Sequence, residues 1–431
     1  MIVMFILLQL LFLGNMCYLY ATQFRSNARF HNFNLLYVDY DGGVIGKSVL
    51  DAYQRLRGDE FPTLQPEPST EYPHVEDVRE AVCRGEYWGA IYTSPGGSNG
   101  LASALESGAW PPTSLIYIWN GVRYPAFSQA AIYSSLLQLV ETTRSTYYAN
   151  NGSSVVASAD LSDPNILAAF LSPIRAQEIN IKGTQQGTRV FYNTVSMVMP
   201  IIQQFFFIMT LNGISSSFGA FTKLSWKINY LIRAIVSVLY TFIGSLLMTG
   251  YIWGYRESWA QSVGRFVLTW MILWLLMHIN FLIFDIATAF IPIQFMPFLV
   301  LTWVIFNISS TVSPFEMNPG FFRWGYALPS HEAYQVLIQI WSGGCNNRLY
   351  QALPIMFSWW IVGLPAAVYA MKYRCKSAVA ARGALDRARS EDFAEVKRDG
   401  RSDGVGTVGG SERDIQQTEG SAGALPPRHL S

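Results

Sequence analysis

The sequence predicts an α-helical multi-spanning membrane protein of about six spans, with an α/β extracytoplasmic domain inserted between the first and second spans. Three observations predict this. The chain has 431 residues, of which 51% are hydrophobic and only 14% charged, whereas a soluble chain has about 25% charged residues. The deficit is concentrated in discrete apolar runs near residue 1 and between residues 190 and 371. Between those regions, residues 21–189 alternate strand-like and helix-like patterns. A net charge of +1 provides no basic field for nucleic acid.

A membrane helix needs about 20 mostly apolar residues to cross about 30 Å of hydrocarbon. Segments 1–20, 190–211, 229–253, 266–288, 291–310 and 353–371 qualify. Almost nothing joins the fourth to the fifth, and Pro292 and Pro297 force a break there. The alternative is a bent hairpin that does not fully cross. No cation precedes the run 1–20 and no small-residue cleavage site follows it. It therefore reads as an uncleaved first span rather than a signal peptide. An apolar run starting at Met1 is unusual for such a span, so a missing cytosolic segment before it is the other reading.

Lys372, Arg374, Lys376, Arg382, Arg387 and Arg389 follow the last span closely, which puts the tail on the cytosolic side. Counting back, 21–189, 254–265 and 311–352 fall outside and 212–228 inside. The sequon Asn151-Gly-Ser agrees with that sidedness as a glycosylation site. Asn307-Ile-Ser also matches but lies in or at the edge of a span. The membrane expected is the plasma membrane or another of the secretory pathway. The tail 372–431 is rich in Gly, Ser, Arg, Asp and Glu and reads as disordered.

Within 21–189, strands are expected at 35–39, 87–92 and 114–119. Helices are expected at 47–56, 75–84, 101–105 and 127–148, with a turn at Ser94-Pro-Gly-Gly-Ser. The first strand leads into "DYDGGVIGKS", residues 39–48, which looks like a phosphate-binding loop. The spacing fails, because such a loop needs Gly, four residues, then Gly-Lys-Ser or Gly-Lys-Thr. Asp41 stands where the first glycine should be, and starting from Gly42 leaves one residue too few. Gly42 and Gly43 suffice as a turn, with Lys47 directed to solvent. Asp39 and Asp41 are explained by a strand-ending turn.

Of the four cysteines, Cys83 and Cys345 fall in segments on the same non-cytosolic side, where a disulfide survives. Two separate buried thiols is the plainer reading. His278, Asn280 and Asp285 lie in the fourth span, and ionisable groups in hydrocarbon are functional candidates. His278 and Asp285 are seven residues apart, near one helical face. One reading is a polar path for a proton or a substrate head group. The other has Asp285 snorkelling at the cytosolic interface while His278 hydrogen-bonds a neighbouring helix. Gln203 and Gln204 read as interhelical hydrogen-bond formers. Arg323 and Trp324, with Pro319 and Gly320, read as part of a short external or re-entrant helix. Trp88 reads as core. No catalytic constellation, metal site or cofactor motif stands out, so an enzyme is not expected.

Four features carry a family resemblance: "LLYVDYDGGVIGKSVLDAY", "YPHVEDVREAVCRGEYWGAIYTSPGGSNGLASAL", the layout of one span, a large ectodomain and five more spans, and "SPFEMNPGFFRWGYALPSHEAYQVL" at 313–337. On these residues the chain resembles the fungal nitrosoguanidine-resistance-type membrane proteins. More distantly it resembles the phage-infection-protein group and ABC type-2 exporter permeases. The resemblance covers about residues 1–375. It implies a multi-spanning protein tied to drug resistance, and to membrane transport or lipid organisation, and it carries no catalytic residues over. Type-2 permeases dock an ATPase through a short cytosolic helix, and residues 213–228 match that region. The function expected is export of, or resistance to, toxic amphipathic compounds, or organisation of membrane lipids. The partners expected are lipids, amphipathic small molecules, and a second copy or an ATPase. The alternatives are a non-transporting scaffold or regulator, and an ectodomain receptor.

Overall fold

A computed structural model describes residues 2–183 and 187–402. Met1–Lys376 forms one compact unit. Its elements are, in order, α1 (Ile2–Thr22), β1 (Asn34–Asp39), α2 (Val44–Leu56), β2 (Thr63–Glu67), α3 (Val75–Arg84), β3 (Gly89–Thr93), α4 (Gly97–Ser107), β4 (Thr113–Trp119), α5 (Pro125–Phe127), α6 (Ser134–Ser158), α7 (Pro164–Leu171) and β5 (Arg175–Asn180). They continue with α8 (Val195–Ser217), α9 (Ala220–Lys223), α10 (Trp226–Gly254), α11 (Val263–Phe290), α12 (Met296–Ser309), α13 (Pro329–Ser342) and α14 (Leu349–Ser402).

The five strands form one sheet in the order β2-β1-β3-β4-β5. β1 is parallel to both β2 and β3, β4 is antiparallel to β3, and β5 is parallel to β4. β1 reads as a continuous apolar run because both of its faces are covered. Leu35 and Tyr37 join one core cluster with Ile45 and Val49 of α2. Leu36 and Val38 point the other way, to Val78 and Val82 of α3. The sequence pattern missed β2 and β5, which are the sheet's edges. β2 carries Pro66 and β5 is mostly polar, both tolerable only where one side of the ladder is free.

Five described helices are long and apolar enough to cross a membrane, by length and composition. The chain is thus a helical integral membrane protein. α10 shows why water would not suit it. Leu231, Ile235, Leu239, Ile243 and Leu247 are exposed, while Asn229, Arg233, Ser237, Thr241, Ser245 and Thr249 are buried at four-residue steps. Apolar outside and polar inside is the pattern a bilayer selects. The expected segment 291–310 instead forms the 14-residue α12, preceded by a short 3-10 turn after Pro292. It is too short to be one of those five. α1 packs along it, with Asn15 Nδ2 donating to Thr302 Oγ1 at 3.2 Å.

Two expectations are corrected here. Residues 372–402 are helical, whereas disorder was expected from 372 onward. The stretch lacks proline and is rich in Ala and Arg, strong helix formers that give it no apolar face. Residues 403–431 lie outside the described residues. The expected separate domain 21–189 is not packed separately either. One core cluster runs from Leu35 and Tyr37 through Met197, Met248 and Leu276 to Trp341.

Candidate functional site

The α10–α11 seam gathers the buried polar groups. Asp285 Oδ1 accepts from Arg233 Nη2 at 2.6 Å and from Arg374 Nη1 at 3.0 Å. Arg374 also donates to the Asp285 carbonyl at 2.6 Å and to Thr288 Oγ1 at 2.9 Å. Arg233 Nη2 reaches Asn212 Oδ1 at 2.9 Å. Two guanidiniums thus share one carboxylate. Arg233 Nε and Nη1 are buried without a partner among the described residues. Asp285 does not snorkel, because it is 3% exposed and held by two guanidiniums. Arg233 lies inside an expected span, and the rule that singled out Asp285 also applies to it. Arg374 left no such signal, being one cation among several past the last span.

Two turns along the same face, Trp360 Nε1 donates to His278 Nδ1 at 2.8 Å. The accepting Nδ1 puts the imidazole proton on Nε2, which faces Ser237 Oγ at 3.5 Å. The structure therefore brings His278 and Asp285 to one seam and ties His278 to neighbouring helices. Asn280 turns elsewhere, accepting from Trp303 Nε1 of α12 at 2.8 Å. Gln204 overturns its expectation: it is fully buried, and neither side-chain polar atom has a partner among the described residues. Beside His278 an apolar cavity of about 370 Å³ opens between Val238, Trp274, Phe357 and Trp360.

A second polar cluster joins the sheet to the helices. Cys83 and Cys345 are disulfide-bonded, so they are not two separate thiols. Asn346 N donates to the Cys83 carbonyl at 2.7 Å and Asn347 N to that of Arg84 at 3.1 Å. The Arg123 guanidinium lies 3.5 Å above the Trp88 ring. Trp88 is core as expected, with Nε1 donating to Glu316 Oε1 at 3.2 Å. Burial lowers Arg123 to about 10, with Glu316 opposing. On α13, burial raises Glu332 to about 7, opposed by Arg348. It also lowers His331 to about 4, although Nδ1 sits 2.7 Å from the Ser310 carbonyl. Arg323 and Trp324 lie on the expected short helix, Gly320–Ala327.

The loop 39–48 is closed on itself. Asp39 Oδ1 accepts from the amides of Asp41 and Gly42, both at 3.0 Å, and from Thr93 Oγ1 at 2.6 Å. Asp41 accepts from the amide and hydroxyl of Ser98. Those amides are what a phosphate would require. A Cβ at Gly46 would collide with the Asp39 carboxylate, so glycine lets α2 start against the strand end. Lys47 is exposed. Asn151 sits within α6, its Nδ2 donating to the Tyr147 carbonyl at 3.3 Å.

No solved structure matches the chain. The family model described as "Protein of unknown function (DUF3533)" matches residues 4–364, and the chain belongs to that family.

Proposed function

We propose that this protein is a permease-like carrier that exports or redistributes amphipathic compounds or lipids, as its resemblance to the nitrosoguanidine-resistance-type proteins implies. One observation carries the reading: the apolar cavity beside His278, at the level of the spanning helices α10, α11 and α14. An apolar cleft beside a few convergent polar groups suits a ligand with a greasy body and a polar end. Both termini are cytosolic in this proposal, with the shorter apolar segment Ile293–Ser309 as the sixth crossing beside the five longer helices, and the sheet lies outside or in the lumen, in the plasma membrane or another secretory-pathway membrane. The cations Lys372–Arg389 and the sequon at Asn151 support that sidedness. The energy source in this reading is a partner ATPase or a second copy. The loop between α8 and α10 offers only the four-residue α9 as a docking element.

The test is reconstitution of the purified chain in liposomes containing a fluorescent phospholipid. Movement of the probe between leaflets, lost when Trp360→Ala reshapes the cavity, supports the reading. No movement, with or without co-purifying proteins and ATP, leaves the scaffold reading instead. A receptor reading rests on a different cavity of about 540 Å³ between α4 and α6, lined by Ser98, Leu105, Tyr147 and Ile166.

A further inference from the structure

The cavity beside His278 is one end of a longer groove. A second cavity, of about 560 Å³, is lined by Arg265, Leu268 and Ile272 of α11, Val336 and Ile340 of α13, and Leu353 of α14. The two share Met271, Leu275 and Phe357, so they are successive stretches of one cleft. From Arg265 to His278 the cleft follows α11 for about 20 Å, which exceeds the ~15 Å half-thickness of a bilayer's hydrocarbon core.

Its two ends differ in charge. The His278 end is apolar with one imidazole. At the other end Arg265 Nη1 donates to Gln261 Oε1 at 3.1 Å, and Lys182 Nζ donates to the Ala260 carbonyl at 3.0 Å. The two cations thus converge on one stretch, residues 260–261, although of the two only Arg265 lines the cleft. Lys182 is lowered by burial and then by repulsion from Arg265. Neither cation has a carboxylate partner among the described residues. The guanidinium rests on Gly343, which holds a φ of +78° and where any Cβ would collide with it. Glycine at this position thus lets the cation reach the mouth of the cleft.

We infer that this groove holds one anionic phospholipid, its phosphate against Arg265 and Lys182 and an acyl chain along α11 toward His278. The inference deepens the amphiphile reading above and rests on it for the identity of the ligand class. Two converging cations without a counter-ion are matched by a head group of net negative charge. A zwitterionic choline head would set a third cation against them. The lipid comes from the leaflet at the sheet's end of the helices, because Lys182 lies two residues past the end of β5.

The full chain in detergent, mixed with equal amounts of phosphatidylglycerol and phosphatidylcholine bearing the same acyl chains, tests this by native mass spectrometry. The native chain should retain the anionic lipid roughly tenfold over the zwitterionic one. Arg265→Gln with Lys182→Gln should bring the two to near parity, while Arg265→Lys keeps the preference. Leu275→Trp, which fills the cleft, should reduce retention of both lipids. Equal retention by the native chain, an unchanged preference in the double variant, or full retention in Leu275→Trp would each overturn the inference. The readout is binding, not movement. A chain that moves lipid without this preference defeats the inference alone, and one that binds selectively but moves nothing defeats the carrier reading alone.

Discussion

Asp285 is the carboxylate that pairs with both Arg233 and Arg374 in a buried seam. Removing its charge leaves two buried cations facing each other, and breaking such a pair costs about 3–5 kcal/mol. Asp285→Asn should therefore lower the thermal unfolding midpoint of the detergent-solubilised chain and reduce its abundance in the membrane. A midpoint equal to the native one would show that the cluster is not held by charge. Asp285 was legible because a carboxylate within an apolar run is conspicuous. Its partnership was not, since Arg233 and Arg374 are 52 and 89 residues away in the chain. Lys47 makes the opposite case. Its motif was conspicuous, but the exposed side chain and the self-bonded loop amides leave no anion cradle. Lys47→Ala should leave abundance and activity unchanged, and the purified chain should show no heat of ATP binding. Magnesium-dependent binding lost in that variant would reverse this.

α13 shows how an element's burial sets the charge state of its residues. Every residue of Pro329–Ser342 except Gln339 is buried. Burial raises Glu332 from an ordinary value of 4.5 to about 7. The stability contributed by neutral Glu332 is therefore complete below about pH 4.5 and is lost as pH rises through about 7. His331, lowered to about 4 from 6.5, behaves in the opposite sense. Its contribution is complete above about pH 6.5 and is lost as pH falls through about 4. Glu332→Gln holds the neutral form at every pH. Its thermal midpoint, taken relative to the native chain, should rise between about pH 5 and about pH 8. A difference that stays constant with pH would remove Glu332 as the titrating group. β1, apolar on both faces, and α3, apolar on one, were legible to within a residue or two. The edge strands β2 and β5 were not, because an edge needs little burial and so leaves little pattern. The helical stretch 372–402 was misread for the reverse reason: helix propensity needs no apolar face to be strong.

At the scale of the whole molecule, the sheet and the helices within Met1–Lys376 form one body, which the sequence pattern divided in two. Alternation and apolar runs report what each segment buries, not which distant segment it is buried against. The junction depends on pairings such as Asn346 to Cys83 and Trp88 to Glu316, which have no local signature. The Cys83–Cys345 disulfide, linking residues 262 apart, is the covalent part of that junction. It ties the end of α3 to the loop between α13 and α14. A cross-link closing so long a loop restricts the unfolded chain, and removing a native disulfide costs about 2–5 kcal/mol. Cys83→Ser with Cys345→Ser should lower the unfolding midpoint, and reductant should do the same to the native chain but not to the double variant. The bond also bears on sidedness, because it persists only where both cysteines face an oxidising compartment. Digestion of membrane-derived protein without reductant should yield one linked peptide pair containing Cys83 and Cys345. Alkylation of both thiols without prior reduction would place this junction in a reducing compartment and overturn the proposed topology. A protected pair fixes the sheet and the α13–α14 loop on one non-cytosolic side, from which the mouth of the groove at Arg265 and Lys182 opens.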